Sequence, residues 1–484
     1  MSSITTSMKT PDEETPLLTP PVLPSQKPRA SPLPKLQIAI IVLLQLCEPI
    51  SSQSIIPYIN QLVSELDITG GDERKVGYYA GLIESLFFAT EALTVLHWGR
   101  LSDRIGRKPV ILIGLIGICF SMLFFGLSRS FWTLVVSRCL CGLLNGNVGV
   151  MKSVVGELTD SSNRAEGFAL IPAVWAIGAT MGPLLGGSLS NPQKRFPTVF
   201  THKFWKEYPY FLPSFVAASF VFVSIIVTSI FFRETLPKRK RAASVASEDT
   251  LIATSDKDVS LPLQAVLTRP VIISITNYIA LAFLEIMLCS LLPLFFAMPI
   301  DIGGLGLSPP TIGYLLGSYG AVSGILNVFF FPAILKRFGE KRVFSLGMIT
   351  FIPIYLLMPI MNIYARTWGI GLGVWLMVAL EFLMMLLTTM SYEFFTKGTI
   401  FIYITASVPD QRYLGATNGL SQTAVSIARA IGPALSTSLF SYSVQKDILG
   451  GYGVYVLMIA FSFLALVIVS FLPSHIWDEM DDQE

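Results

Sequence analysis

Apolar runs long enough to cross a bilayer recur along the whole chain, and no other feature limits its fold as strongly. A helix needs about 20 apolar residues to span roughly 30 Å of hydrocarbon. Twelve segments meet that length: 36–62, 77–97, 110–128, 131–156, 165–189 and 209–232, then 269–297, 310–334, 343–362, 370–407, 415–440 and 452–472. The tenth is too long for one straight span and holds Glu393 and Lys397. Of the 484 residues 52% are hydrophobic and 14% charged, where soluble domains carry about 25% charge. Lipid is the solvent this composition suits. The expected fold is an all-α membrane protein with about twelve transmembrane helices in two six-helix halves.

The polar stretches set the organisation. Residues 1–34 are rich in Pro, Ser and Thr and lack an apolar core, so they read as a disordered cytoplasmic tail and not as a cleaved signal peptide. A first half over 35–233, a cytoplasmic linker over 234–267, a second half over 268–473 and an acidic cytoplasmic tail over 474–484 follow. Arg100, Arg104, Arg107 and Lys108 come after the second segment, Lys238, Arg239, Lys240 and Arg241 after the sixth, and Lys336, Arg337, Lys341 and Arg342 after the eighth. These fall on one side, which the positive-inside rule makes cytoplasmic, with both termini. Lys194, Arg195, Lys203 and Lys206 fall on the other side and depart from the rule.

Composition also narrows the chemistry. A net charge of +2 gives no basic excess for nucleic acid. The five cysteines lie in apolar stretches without a CxxC pair, so neither a disulfide framework nor a zinc site is expected. Three histidines and no GxxxxGK[ST] argue against a metal-ion pathway and against ATP-driven pumping. No cofactor is called for, and a soluble enzyme is excluded.

Three motifs carry mechanism. The first is Trp98-Gly99-Arg-Leu-Ser-Asp103-Arg104-Ile-Gly106-Arg107-Lys108-Pro109. Gly99 and Gly106 give a tight turn its backbone freedom. Asp103 can accept from a helix N-terminus or an Arg, a contact suited to a gate. Arg-x-Gly-x-Lys recurs at 337–341, between the second and third segments of the other half. The second motif is Gly178-Ala-Thr-Met-Gly182-Pro183-Leu-Leu-Gly186-Gly187, whose small residues allow close helix approach while Pro183 allows a bend. Arg164 followed by Gly182-Pro183 is echoed by Arg412 followed by Gly432-Pro433, and such duplication marks many transporter folds. The third is Arg138-Cys-Leu-Cys-Gly142-Leu-Leu-Asn145-Gly146. A charge there either pairs with an acid or snorkels to the nearer surface.

Together these motifs resemble those of the major facilitator superfamily, over about 36–472. The Gly178–Gly187 pattern resembles the one associated with antiporters. The first motif resembles the zinc-induced facilitator-like branch, close to tetracycline-type drug:proton antiporters. Asn147-Val-Gly-Val, Glu157-Leu-Thr-Asp160 and Tyr208-Pro-Tyr-Phe-Leu-Pro look like fungal members, and the Cys-Pro-Gly-Cys loop of plant members is absent. The resemblance implies alternating access by a monomer.

Glu48, Glu84, Glu91, Glu285 and Glu381 lie inside apolar segments. A carboxyl taken out of water tends to keep its proton, which suits proton coupling. Each is also compatible with a plain pore-lining role. Glu48, beside Pro49 and near Gln53, is the first choice, with Glu285 its rough counterpart and Asn145 and Lys152 plausible partners. Glu13-Glu14-Thr15-Pro16-Leu17-Leu18 resembles a vacuolar sorting signal, a pattern that also arises by chance in acidic tails. The expected function is secondary, proton-coupled antiport of a small organic compound at the plasma or vacuolar membrane. The alternatives are a facilitator or symporter for a nutrient or metal chelate.

Overall fold

A computed structural model describes residues 33–160, 163–236, 267–392, 400, 403–404, 407 and 414–473. The two tails, the basic cluster 238–241, Glu393, Lys397, Arg412 and the 13–18 sorting pattern lie outside the described residues, as does the side chain of Arg164.

Lipid leaves backbone N–H and C=O groups no water to bond, so a spanning segment must close its hydrogen bonds internally, as a helix does. The described residues obey this: they form helices, with no strand among them. The first half comprises α1 (Lys35–Ile55), α2 (Val76–Ile105), α3 (Arg107–Gly126), α4 (Phe131–Leu144), α5 (Asn147–Leu158), α6 (Arg164–Leu189) and α7 (Phe211–Phe231). The second comprises α8 (Arg269–Ala297), α9 (Pro309–Phe329), α10 (Phe331–Phe338), α11 (Glu340–Trp368), α12 (Leu372–Tyr392), α13 (Leu414–Gln445) and α14 (Gly453–Ser470). Among the described residues eight stretches are long and apolar enough to cross a bilayer, one of them α4 and α5 together, and the bent α2 makes a ninth. The three remaining expected segments are α6, α9 and α13, continuous helices of 26, 21 and 32 residues.

Three segments differ from the reading. The fourth breaks at Asn145-Gly146, the eighth at Phe330, and the first ends as a helix at Ile55, with a turn before a short helix over Ile59–Ser64. The break at Asn145-Gly146 is buried against α2, which satisfies the freed carbonyls: Trp98 Nε1 donates to the Leu143 carbonyl at 2.7 Å and Thr94 Oγ1 to that of Gly142 at 3.5 Å. Irregular backbone at membrane depth is tolerated under that condition. Helix α12 is described as far as Tyr392; of the rest of the expected segment only residues 400, 403–404 and 407 lie within the described residues.

Helix α6 packs on both of its small-residue edges. On one, Gly178 lies against Pro49 of α1, and Gly182 so close to Gln53 that a Cβ would come within 2.6 Å of that residue's own. On the other, Gly187 meets Gly313 of α9 backbone to backbone, and Ala179 and Thr180 meet Gly320 and Gly317. A second junction joins α2 to α13: Gly77 and Gly81 pack on Thr437, Tyr78 Oη donates to Gln445, and Ser85 Oγ accepts from the Ala434 amide at 2.9 Å. Both junctions lie toward the end away from the basic turns. At the other end Gly149 and Gly156 of α5 and Gly419 of α13 face open space, so the halves diverge there. Of the positive residues that depart from the charge rule, Arg195 donates to Tyr314 Oη across the first junction.

Gly187→Leu should therefore insert normally but fail to close the α6–α9 junction, since overpacking of this kind costs about 1–3 kcal/mol. The expected result is faster labelling of a cysteine at Ser188 by a membrane-impermeant maleimide. Labelling equal to that of the parent would show the junction to be slack.

Candidate functional site

Sequence spacing stacks the polar residues of the first half. Glu84 and Glu91 are seven apart on α2, and Arg138, Asn145 and Lys152 are successively seven apart on α4–α5. Seven residues is close to two helical turns, so each set lies along one face. Of these, Arg138 and Asn145 line a small cavity together with Glu48 and Ser51 of α1, Phe87 of α2 and Cys141 of α4, among others.

The helix break is what points Asn145 inward. Its Nδ2 donates to Glu91 Oε1 at 2.8 Å, and Glu48 faces the same amide from α1. One amide thus serves two carboxyls. Lys152 lies within electrostatic reach of Glu48. Arg138 is buried, with its guanidinium 4.7 Å over the Phe87 ring and Glu84 and Glu91 within electrostatic reach, so it does not snorkel to a surface. An unpaired charge at that depth would cost about 2.5–3.5 kcal/mol. Glu84 also meets Ser290 of α8, and Glu285 lies near Cys289 and Tyr278 on the same helix.

Sequence reading missed Arg429 of α13, which reaches Glu48, Glu91 and Lys152 from the second half. The signal was present. Gly432-Pro433 repeats Gly182-Pro183, and three residues before each glycine stand Arg429 and Ala179. Glu381 belongs elsewhere: it is 0% exposed, near Tyr355 and Tyr455, with no hydrogen-bond partner at either oxygen.

The basic turn is a second centre. Gly106 turns the chain at φ 110°, and Arg107 folds back to pair with Asp103 at 2.7 Å and Glu157 at 2.8 Å. Glu234, beyond α7, accepts from the amides of Arg107 and Lys108 at the start of α3, and Thr235 donates to Glu157 at 2.6 Å. A carboxylate suits a helix N-terminus. Lys108 Nζ donates to the carbonyls of Ser229 and Phe232. Gly99 faces open space, and Arg104 and Asp103 are exposed. Asp103 thus has its Arg partner within the turn itself, while Glu157 and Glu234 were not foreseen there.

The Major Facilitator Superfamily model matches residues 41–433. The major facilitator-type transporter psiT2 of Psilocybe cyanescens is 32% identical over 472 residues, covering 89% of each chain. The major facilitator superfamily multidrug transporter mfsB of Aspergillus fumigatus is 29% identical over 524 residues, covering 93% of this chain and 84% of its own. The zinc-induced facilitator and tetracycline-resistance branches noticed in the motifs are both represented, at 29% and 26% identity. Among solved structures, a bacterial homologue of the human lysosomal transporter Spinster, inward-facing and occupied, has a TM-score of 0.65 at 15% identity, over 91% of this chain and 97% of its own.

Asp103 has a side chain 62% exposed, and Glu157 would keep Arg107 paired without it. Asp103→Asn should therefore insert and fold as the parent does while slowing turnover about tenfold, the effect of roughly 1.4 kcal/mol on a conformational equilibrium. Equal turnover at equal membrane content would remove Asp103 from the gate.

Proposed function

The chain belongs to the major facilitator superfamily, and from that premise we propose that it is a proton-coupled antiporter exporting a small organic compound. It is a multi-pass membrane transporter and not an enzyme. The observation that carries the coupling is the meeting of Glu91 and Glu48 at Asn145, on the wall of the small cavity, with Lys152 and Arg429 within electrostatic reach of Glu48. Two carboxyls competing for one amide are relieved when a proton neutralises either, or when a polar or cationic solute takes its place. Proton and solute then exclude one another, which is the requirement for exchange.

The basic turns mark the cytoplasmic side, so the divergent end of the helices opens inward and the α6–α9 and α2–α13 junctions close the far side. Solute enters from the cytoplasm; Gly178, Gly182 and Gly186 seat α6 closely on α1, while Pro183 loosens α6 where it and Gly187 meet α9, the contact along which the halves part. The name of the multidrug relative agrees with export of an organic compound, at the plasma or vacuolar membrane.

Everted vesicles carrying an acid-inside gradient provide the test. Adding an exported solute should release protons from the lumen, read by recovery of a quenched pH dye, and an uncoupler should abolish accumulation. Proton movement in the same direction as the solute would make the protein a symporter.

Glu48→Gln imitates the protonated carboxyl at nearly constant volume. It should abolish accumulation driven by the pH gradient and spare exchange of labelled for unlabelled solute in proteoliposomes. If the gradient still drives accumulation, the proton carrier is Glu91, Glu84 or Glu285. If exchange is lost too, Glu48 is a solute ligand or a structural partner of Lys152.

A further inference from the structure

On α2 and α13 the halves are joined by the Ser85–Ala434 hydrogen bond and the packing of Gly81 on Pro433. One helical turn along α13 from Pro433, toward the end with the basic turns, stands Arg429. It therefore stands one turn in from this junction, in electrostatic reach of Glu48 and Glu91 of the first half. Proline at 433 has no N–H to return to the Arg429 carbonyl, so the helix is loosened at this residue. The corresponding position of the first half, Ala179, is packed tightly on Gly320 of α9. At that place the second half carries a charge.

We infer that Arg429 is the coupling residue between the halves: its attraction to ionised Glu48 and Glu91 across the cavity holds the empty carrier in the arrangement described here. This rests on the proton-coupled reading. The groups in electrostatic reach of Arg429 are Glu48 from α1, Glu91 from α2, Lys152 from α5, and Tyr278 and Cys289 from α8, with Arg138 beside Glu91, and Glu84 and Glu285 beside Cys289, one step further out. With Glu48 and Glu91 ionised, the second half is drawn to the first beside this junction. With both neutralised, by protons or by a cationic group of the solute, that attraction is gone, and Lys152 and Arg429 still repel each other across the gap. A ligand can shift an equilibrium only through a differential interaction with its states, and Arg429 supplies one that belongs to the relation between halves. An exchanger must not cross the membrane empty, and a bond that only the empty, deprotonated carrier makes enforces that rule.

The test needs no solute. In a background with the five cysteines replaced, spin labels are placed at Ser153 of α5 and Thr423 of α13, both exposed, and their separation is measured by pulsed dipolar spectroscopy at mildly alkaline and mildly acidic pH. The parent should show one narrow distance at alkaline pH and a shifted or broadened distribution on acidification. Arg429→Gln should show the acidic distribution at both pH values, and Arg429→Lys should keep the shift. The Glu48→Gln, Glu91→Gln double variant, with Arg429 intact, should match Arg429→Gln, which guards against a trivial loss of folding in the arginine variant. An Arg429→Gln protein that shifts with pH as the parent does overturns the role of Arg429. A parent that shows no shift at all overturns the proton-coupled reading beneath it.

Discussion

A polar atom inside hydrocarbon must find its partner within the protein or cost several kcal/mol, and the arrangement of this chain follows from how that demand is met. It forces helices across the membrane. At Asn145-Gly146 the helix is nevertheless opened, and the side chains of Trp98 and Thr94 take up the carbonyls that the break releases. That local satisfaction is what permits an amide to turn inward at membrane depth, where it gathers carboxyls from two other helices. Discontinuous helices at the midplane are a recurrent way for transporters to build a binding site.

The same demand explains the two kinds of charge cluster. Around the cavity, acids and bases from α1, α2, α4, α5, α8 and α13 are distributed over both halves, so their mutual energy depends on how the halves are placed. At the basic turn Arg107, Asp103 and Glu157 belong to the first half, and Glu234 and Thr235, at the start of the linker, are bound to it, so that network fixes one body and leaves the other free to move. A network confined to one half stiffens it. A network divided between halves is read out as motion.

Much of the fold was legible because one period and one solvent dominate. Apolar runs located the helices, with α8 recovered at 269–297, although α1 ends at Ile55, seven residues short of the end of its run at 62, and α2 continues to Ile105, eight beyond 97. The break in the fourth segment was not legible, because Asn145-Gly146-Asn147 sits within an apolar run and only the neighbouring α2 makes it affordable. Arg429 was hidden for a different reason: its helix echoes α6, and the echo drew attention to Gly432-Pro433 and away from the residue at which the copies differ. Glu234 lies just past an apolar run and reads as the start of a linker, and its place at the head of α3 is a matter of tertiary proximity alone. The grouping of Glu48 with Lys152 and Asn145 was within reach, since buried charges at membrane depth have few alternatives to one another.

Between α6 and α9 the facing atoms at Gly187 and Gly313 are main chain, with no side chain able to follow a partner that retreats. Attraction between such surfaces is dispersion, which loses a quarter to a half of its depth over a gap of about 0.5–1 Å. A contact of this sort is brittle. It has no half-open form of intermediate energy, and so it converts a gradual push at the other end of the molecule into a step.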